Sequence, residues 1–524
     1  MKYIDQYSSM ATVIGRMLAN YSNSHEWLLP TILLLLLPLL CLLLKNKKTT
    51  NSNLPPTPPK LPIIGNLHQL VGGLAYRSFH RLSQKHGPIM LLQLGSVPAV
   101  VVSSATMAKE VMKTNDLDCC TRPASPGPKK LSYNYLDIAF APYNDYWKEM
   151  RKLFMFELMS PKRSQSIWFA REAEVDKLLD TLAQESGNPV KLDDKIFGLV
   201  DGVIGTVAFG KIYGKDKFQK QFQKVLNEVM DVLGSFSAED FFPLTGRSVD
   251  KLTGLSARRE KIFVQVDAYL QKMLDLHLDP ARSKPEQEDL VDILIELWRN
   301  QTSSVHLTAD HVKAILLDTF LGAIDTSAIT ILWTMSELMK NPRVMSKLQA
   351  EIRTCTLQKP KVLSGDDVAE LKYLKMVAKE TLRLHPPAPL LLPRETMRHC
   401  KLGAYDVYPK TRIYVNAWAI GRDPKSWRNP DEFYPERFED TDVNFKGYHF
   451  ELVPFGAGRR ICPGLAMGAA NVEYTLANLL YWFDWELPGG MTRDDINMED
   501  EGGLVVHKKI PLCLVPIKYC RAQN

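Results

Sequence analysis

The amino-acid sequence predicts a mainly α-helical protein with a small β component, which is an α+β fold. In residues 308–340, apolar side chains recur at three- and four-residue steps, and the segment is about three times as long as a mean helix. A helix so long and so apolar must cross the interior of a large domain. A second helical pattern covers residues 370–384 and stops at two prolines. Short apolar runs at 99–102 and 412–415, with a closing hairpin predicted in 504–519, supply the β component.

The composition is that of an ordinary globular protein, since 45% of the 524 residues are apolar and 24% are charged. The net charge of +6 is small for this length and no long lysine or arginine tract occurs, so a nucleic acid partner is not expected. None of the eight cysteines forms a CxxC pair, and their spacing is not that of a disulfide framework. A reducing compartment is therefore predicted.

Residues 27–44 are predominantly apolar and are followed by Lys45, Lys47 and Lys48. Eighteen residues in a helix span roughly 27 Å, about the thickness of a thin hydrocarbon core. A cleaved signal peptide would have basic residues before the apolar run and small residues after it, which is the reverse of this order. The sequence predicts a retained transmembrane anchor, with the lysines and everything after them in the cytosol.

Two short segments flank the anchor. Residues 1–26 are predicted to be a short non-cytosolic extension, although Met10 or Met17 is an equally good start. Residues 45–66 begin with lysines and then contain five prolines, which favour stiff polyproline geometry and exclude a helix. They are predicted to be a semi-rigid hinge before one large domain, residues 67–524.

The stretch PFGAGRRICPG, residues 454–464, surrounds one cysteine with glycines and arginines. Its glycines allow backbone conformations that other residues resist, so that amide N–H groups can point at the sulfur. Arg460, two residues before Cys462, adds positive charge that lowers a thiol pKa. A lone cysteine is most often a small buried apolar residue, and that interpretation holds for the other seven. A buried thiolate requires a cation, and haem iron is the fitting one.

The same stretch fits FxxGxRxCxG, the haem-binding loop of cytochrome P450 enzymes, and the chain resembles that family from the anchor to about residue 518. The matching residues are Phe455, Gly458, Arg460, Cys462 and Gly464. The resemblance implies a cytochrome P450 fold that holds haem b (iron protoporphyrin IX), with Cys462 as the axial ligand of the iron. This loop, the proline hinge and the terminal KKIPLCLVPIKY are similar to plant A-type, microsomal members.

Glu380 and Arg383 are three residues apart on the second predicted helix. Taken alone, this spacing is typical of a surface pair that contributes a few tenths of a kcal/mol. The resemblance implies instead a buried structural triad, closed by Arg437 of the segment YPERF. Such a lock serves folding and haem retention.

Trp147 and Arg151 are four residues apart and share one face of a predicted helix. By itself this spacing is typical of a cation–π pair at the surface. The resemblance implies that both side chains hold a haem propionate, with Arg394 and Arg460 as further candidates, because bidentate arginine–carboxylate pairing suits that task.

The sequence GAIDTS interrupts the apolar stripe of the long helix at residues 322–327. Asp, Thr and Ser are poor residues for a helix interior, and the simplest interpretation is hydroxyl bonding to carbonyls one turn earlier. The resemblance implies a catalytic groove in which Thr326 hydrogen-bonds dioxygen and Asp325 helps to deliver protons. The family commonly has glycine where this chain has Ala323, and one methyl group narrows the groove or trims the pocket.

Electrons must come from another protein, because neither a dinucleotide fingerprint nor a ferredoxin-like cysteine cluster occurs. The resemblance implies NADPH-cytochrome P450 reductase as the partner, with cytochrome b5 as a further donor, at the endoplasmic reticulum membrane. Lys148, Lys152 and Arg459 are predicted to lie on the thiolate side and to receive an acidic partner.

The resemblance places substrate contacts in the loop 125–143, on the long helix, in 388–392 and in 504–506. These segments are mostly apolar, so a compact hydrophobic or weakly basic plant metabolite of the terpenoid, alkaloid or phenylpropanoid class is expected. The predicted pocket residues are Phe320, Ala323, Ala388, Leu391, Leu504 and Val505.

A monooxygenase that hydroxylates this substrate is the first hypothesis. The same haem chemistry also supports oxidative cyclisation, coupling or desaturation without net oxygen insertion. A non-catalytic haem carrier or sensor on the membrane is the third, and the intact Asp325–Thr326 pair argues against it.

Overall fold

The computed structural model of the chain describes residues 53–213, 217–283, 285, 287–301, 305–355 and 363–519. The predicted extension (1–26) and anchor (27–44) lie outside these residues. The α-helices in the described part are α1 (Ala75–His86), α2 (Ala105–Lys109), α3 (Asp116–Cys119), α4 (Pro126–Leu131), α5 (Asp145–Leu153), α6 (Pro161–Ser166), α7 (Trp168–Gln184), α8 (Leu192–Phe209), α9 (Lys217–Gly234), α10 (Ala238–Phe241), α11 (Gly246–Leu252), α12 (Leu255–Leu278), α13 (Leu290–Asn300), α14 (Ala309–Lys340), α15 (Pro342–Cys355), α16 (Gly365–Ala369), α17 (Lys372–Leu384), α18 (Ala417–Ile420) and α19 (Leu465–Trp482).

The strands form one four-stranded sheet, one three-stranded sheet and two ribbons in the described part of the chain. The strands are β1 (Ile89–Leu94), β2 (Val97–Val102), β3 (Val190–Lys191), β4 (Arg394–Glu395), β5 (Cys400–Leu402), β6 (Tyr405–Val407), β7 (Arg412–Val415), β8 (Phe483–Glu486), β9 (Asp500–Glu501), β10 (His507–Lys508) and β11 (Cys513–Lys518). The larger sheet has the order β1-β2-β7-β4, and the smaller has the order β3-β11-β8. The predicted runs at 99–102 and 412–415 are neighbours, because β2 and β7 pair in parallel. More residues lie in helices than in strands, and the predicted mainly α-helical α+β class is confirmed.

The long helix α14 runs through the centre of the domain and packs against α8, α13, α15, α17 and α19. It follows Thr308, whose backbone N–H donates to Nδ1 of His311 at 3.2 Å, and it stops before Pro342. Its length and apolar character would suffice to span a membrane, but 72% of its most apolar 18-residue stretch is buried within the protein. The prediction that this helix crosses a large domain is confirmed, and so is the helix at 370–384, which begins at Lys372.

The closing hairpin predicted within residues 504–519 is wrong. Strand β10 pairs with β9, whereas β11 pairs with β8 and β3, far away in sequence. A strand pattern identifies which residues are extended but does not name their partner.

The described part of the predicted hinge packs against the larger sheet. Asn66 is fully buried, its amide nitrogen donates to the carbonyl of Pro59 at 3.1 Å, and its amide oxygen accepts the N–H of Gln93 at 2.8 Å. The N–H of Leu91 donates to the carbonyl of Pro56 at 2.9 Å. The proline-rich segment from Leu54 onward is thus fastened to the domain.

Candidate functional site

A tight loop presents Cys462 between a 3₁₀ turn, Gly458–Arg460, and helix α19. The N–H of Cys462 donates to the carbonyl of Phe455 at 2.9 Å, which closes the loop. Gly458 has a φ of 68°, and a Cβ there would lie 2.3 Å from the carbonyl oxygen of Met112. Only glycine fits that position, because any side chain would meet both steric and backbone strain.

The sulfur of Cys462 faces a cavity, and burial raises the pKa of its thiol. The N–H of Gly464 and the charge of Arg151 act in the opposite direction and lower this pKa. The arginine whose charge lowers the pKa of the Cys462 thiol is therefore Arg151, where Arg460 was expected. Arg460 donates its hydrogen bonds to backbone carbonyls instead. Because burial dominates, the thiolate requires a bound cation, and a coordinating thiol is deprotonated by its metal.

The cavity has a volume of about 330 Å³ and is lined mainly by apolar side chains. Its walls include the loop around Ile138, α9, α14, the segment 387–394, the Cys462 loop, the first turns of α19 and the residues before β10. The predicted residues among its lining are Arg151, Ala323, Thr326, Ala388, Leu391, Arg394, Phe455, Arg460, Cys462, Gly464, Leu504 and Val505. The structure thus brings together most of the predicted site.

The face of α14 that lines the cavity carries Thr319, Ala323, Thr326 and Thr330. These residues follow one another at three- and four-residue steps, so they share one side of the helix. The hydroxyl of Thr326 donates to the carbonyl of Gly322 at 2.7 Å, so its hydrogen is used within the helix while its oxygen remains on the cavity wall.

Phe320 is not brought to the cavity. It is fully buried in an aromatic cluster, with ring centroids 5.1 Å from Phe209 and 5.0 Å from Phe222. Phe320 lies one residue from Thr319, which is about 100° around the helix, so the two side chains face different neighbours.

Asp325 also lies off the cavity wall, although it precedes Thr326. Its carboxylate is buried and lies 3.6 Å from Nε2 of His507 on β10. The acid and the alcohol of the predicted pair therefore face different surroundings.

Four buried or partly buried arginines converge on one wall of the cavity: Arg122, Arg151, Arg394 and Arg460. Burial lowers the pKa of Arg460 to about 9 and also lowers the pKa of Arg122, which the neighbouring arginines depress further. Most of their hydrogen bonds go to neutral carbonyls, such as those of Ala139 and Leu392 for Arg122. Arg122 was not predicted, since an isolated arginine in a loop carries no pattern.

Trp147 stands behind this arginine cluster. Its indole N–H donates to the carbonyl of Ile138 at 2.9 Å, and the guanidinium of Arg460 lies 4.0 Å from its ring centroid. The tryptophan thus positions an arginine and does not itself line the cavity wall. Arg394 shares the buried carboxylate of Asp116 with Arg459.

The residues of this cavity fit the implied haem. Cys462 offers a soft anionic ligand, and apolar walls suit a flat macrocycle. Among the described residues, Asp116 is the one carboxylate that forms an ion pair with an arginine of this cluster, and Arg459 shares it, so the cluster has more positive charge than these ion pairs neutralise. Burying unpaired charge is costly, so the cluster calls for an anion, and carboxylates of a porphyrin supply it.

A pair of carboxyl groups was also missed: the half-buried Asp318 on the cavity wall and the buried Asp137 next to it. Asp318 accepts the N–H groups of Ile138 and Ala139 at 2.8 and 3.1 Å, which fixes the loop to α14. Burial raises the pKa of Asp318 to about 6, and burial together with the charge of Asp318 raises that of Asp137 well above its usual range. No sequence spacing links the two, because they are 181 residues apart (318 − 137).

The predicted structural triad has the expected geometry. The fully buried Glu380 accepts two hydrogen bonds from Arg383, at 2.7 and 2.8 Å, and one from Nε of Arg437 at 2.9 Å. The N–H of Tyr434 donates to the same carboxylate at 2.8 Å. This network ties α17 to the turn Pro435–Phe438, away from the cavity.

A shallow concave surface next to the Cys462 loop carries the three predicted basic residues, Lys148, Lys152 and Arg459. Exposed apolar groups, Met155 and Phe156, lie among them. A basic surface with an apolar centre suits an acidic protein partner.

The chain matches the family model described as Cytochrome P450 over residues 55–514. It is 56% identical over 472 residues to the 4-hydroxyphenylacetaldehyde oxime monooxygenase of Sorghum bicolor, covering 89% of each chain. It is 52% identical over 467 residues to the 2-methylbutanal oxime monooxygenase of Manihot esculenta, covering 89% of this chain and 91% of that one. A solved zebrafish cytochrome P450 with progesterone has a TM-score of 0.73 at 25% identity, covering 84% of this chain and 99% of that one.

Proposed function

Because the chain belongs to the cytochrome P450 family, we propose that this monooxygenase oxidises a compact apolar oxime with electrons from a separate, NADPH-dependent reductase. The observation that carries the substrate proposal is the small apolar cavity between Cys462 and the α14 face with Ala323 and Thr326. Its volume is at the lower end of the range for small-molecule sites, about 300–1,000 Å³, and haem shares this space. A compact substrate is therefore favoured.

The oxime class is taken from the names of the relatives from Sorghum bicolor and Manihot esculenta. An oxime joins a small polar group to an apolar body, which suits apolar walls with a few hydroxyl groups. The cavity lining offers Ala388, Leu391, Leu504 and Val505 to the apolar body and the oxygen of Thr326 to the polar group. A compact terpenoid, alkaloid or phenylpropanoid satisfies the same walls and is the comparison class in the test.

The residues proposed for haem binding are Cys462, whose thiolate would ligate the iron, and Arg151, Arg394, Arg460 and Arg122, which would hold the propionates. Haem with a thiolate ligand supplies the activation of dioxygen when it is bound.

The other groups of this chain manage water and protons. Thr326 presents a hydroxyl oxygen at the wall, and Asp325, one residue earlier, is proposed to supply protons to this groove. The apolar walls exclude bulk water from the substrate.

The basic surface of Lys148, Lys152 and Arg459 supports the proposal of an acidic reductase as partner. We further propose that residues 27–44 anchor the chain in the endoplasmic reticulum membrane, with the catalytic domain in the cytosol and cytochrome b5 as a further donor. The apolar run followed by lysines supports this orientation.

The test uses the full chain in microsomes with a reductase and NADPH. The probes are 4-hydroxyphenylacetaldehyde oxime, 2-methylbutanal oxime and a panel of compact terpenoids and alkaloids lacking an oxime. We expect an oxime to shift the Soret band and to give a product that requires dioxygen. Turnover of panel members with no response to either oxime would refute the oxime proposal, and a product lacking oxygen from ¹⁸O₂ would favour cyclisation, coupling or desaturation.

A further inference from the structure

We propose that His507 is the group through which protons from water reach Asp325, so that strand β10 belongs to the catalytic machinery. The inference rests on the proton-supplying role proposed above for Asp325. It starts from the placement of that carboxylate, which lies off the cavity wall and faces β10.

Asp325 needs a source of protons, because its side chain is only 10% exposed. Among the described residues, its one ion-pair partner is His507, whose Nε2 lies 3.6 Å from Oδ2 of the carboxylate. Imidazole is the side chain best suited to exchange protons near neutral pH.

His507 is open to water where Asp325 is not, since 39% of its side chain is exposed. Its ring stacks on Phe197 of α8, with centroids 5.9 Å apart and planes at 12°. This contact supports a ring that has Nε2 toward Asp325 and more than a third of its side chain exposed to water. A buried acid and a half-exposed imidazole thus form a short path from the surface to the helix turn that carries Thr326.

The proton step balances without any further reactant. The Nδ1 atom of His507 accepts a proton from hydronium, which leaves water, and Nε2–H donates its own proton to the carboxylate of Asp325. The ring then returns to its first tautomer by exchange with water. No electron is transferred in this step.

Several charged groups on neighbouring elements set the electrostatic surroundings of this imidazole. They are Asp325 on α14, Glu501 directly opposite on β9, Lys508 next in the chain, and Asp193 and Asp194 in the first turn of α8, which also carries Phe197.

A purely mechanical role is the competing explanation. The pair would then fasten β10 to α14 and so hold Leu504 and Val505 at the cavity. The substitution His507→Gln separates the two, because the glutamine amide can donate to the carboxylate of Asp325 but does not take up a proton at neutral pH. Lys509→Gln is the matched control, since Lys509 lies in the same segment, is exposed and contacts Glu499.

The first measurement is chemical and needs no turnover. The haem-loaded full-length protein is treated with diethyl pyrocarbonate, and modified histidines are mapped by mass spectrometry. We expect His507 to be modified in the wild type, and at a different rate in Asp325→Asn, because the substitution removes the negative charge that lies 3.6 Å from Nε2 of the ring. Absence of modification at His507, or the same rate in both proteins, would overturn the inference.

The second measurement uses reductase, NADPH and 4-hydroxyphenylacetaldehyde oxime as the probe. We expect His507→Gln to release more peroxide per NADPH and to make less product than the wild type, by about tenfold or more. The solvent deuterium isotope effect should also change. Haem content and the carbon monoxide spectrum should match those of Lys509→Gln.

The outcomes of this second measurement separate the two claims. Wild-type coupling in His507→Gln, with loss of coupling in Asp325→Asn, overturns the role of His507 alone. Wild-type coupling in both variants refutes the role proposed for Asp325. If the wild type gives no product from the oxime, the substrate proposal fails, while the peroxide ratio and the isotope effect still compare the variants.

Discussion

Replacing Glu380 by glutamine tests how much the buried triad contributes to stability. The side chains of Glu380 and Arg383 are both 0% exposed, so Glu380→Gln leaves a buried guanidinium without its counter-ion. The new amide N–H₂ would also face the N–H groups of Arg383, which are donors themselves. Breaking a buried ion pair from one side costs about 3–5 kcal/mol, a large share of the free energy of unfolding of a typical domain.

A graded series makes the reasoning quantitative. Arg437→Lys keeps a positive charge near Glu380 but loses hydrogen bonds to the carbonyls of Arg428 and Asn429, so a loss of about 1–2 kcal/mol is expected. Glu260→Gln is the control, because its pair with Lys130 is exposed and contributes less than about 1 kcal/mol.

The assay is urea denaturation of the haem-loaded protein, followed by far-ultraviolet circular dichroism and by the haem spectrum. The denaturation midpoint should fall in the order Glu260→Gln, Arg437→Lys, Glu380→Gln, with the largest loss in the last. A midpoint for Glu380→Gln equal to that of Glu260→Gln would refute the claim that the triad is a structural lock.

Two further predictions concern the cavity wall. The raised carboxyl pKa values of Asp318 and Asp137 stabilise the fold at low pH. The contribution of Asp318 is lost as pH rises through about 6, and that of Asp137 is lost as pH rises through its own raised pKa. Asp137→Asn should therefore raise the thermal midpoint at pH 8 and lose this advantage toward pH 4. The exposed control Asp145→Asn should not raise the midpoint at pH 8. A difference between Asp137→Asn and the wild type that does not change with pH would contradict the assignment. Gly322→Ala places a methyl group where no atom outside the backbone of its own helix lies within 4 Å. The free energy of unfolding should therefore stay the same or rise by up to about 1 kcal/mol. Binding of the bulkier oxime should weaken, as measured by spectral titration. If the variant binds each oxime with the same affinity as the wild type, this turn does not face the substrate.

Much of the fold follows from local pattern. The long helix and strand β7 occupy the predicted segments because their apolar periodicity and flanking breakers are local properties. The partners of the terminal strands do not follow, since β11 pairs with residues near 190 and 485 that no turn connects to it. Strand pairing over such distances is decided by packing of the whole domain.

The site shows the same division. The Cys462 loop is one contiguous motif, so its residues are found together from sequence. Asp318 and Asp137 become a pair only when α14 meets the loop, and no spacing announces this contact. The family resemblance placed Phe320 at the substrate, but the aromatic cluster with Phe209 and Phe222 takes its side chain. A helix position indicates a face, and the neighbours decide what that face touches.

The most direct measurement compares the wild-type protein with Cys462→Ser, each purified, reduced and treated with carbon monoxide. The wild type should contain porphyrin and show the Soret band of a thiolate-ligated haem, and the variant should lose that band. A wild type without porphyrin, or a variant that keeps the thiolate-type band, would contradict the assignment of Cys462 as the ligand of iron.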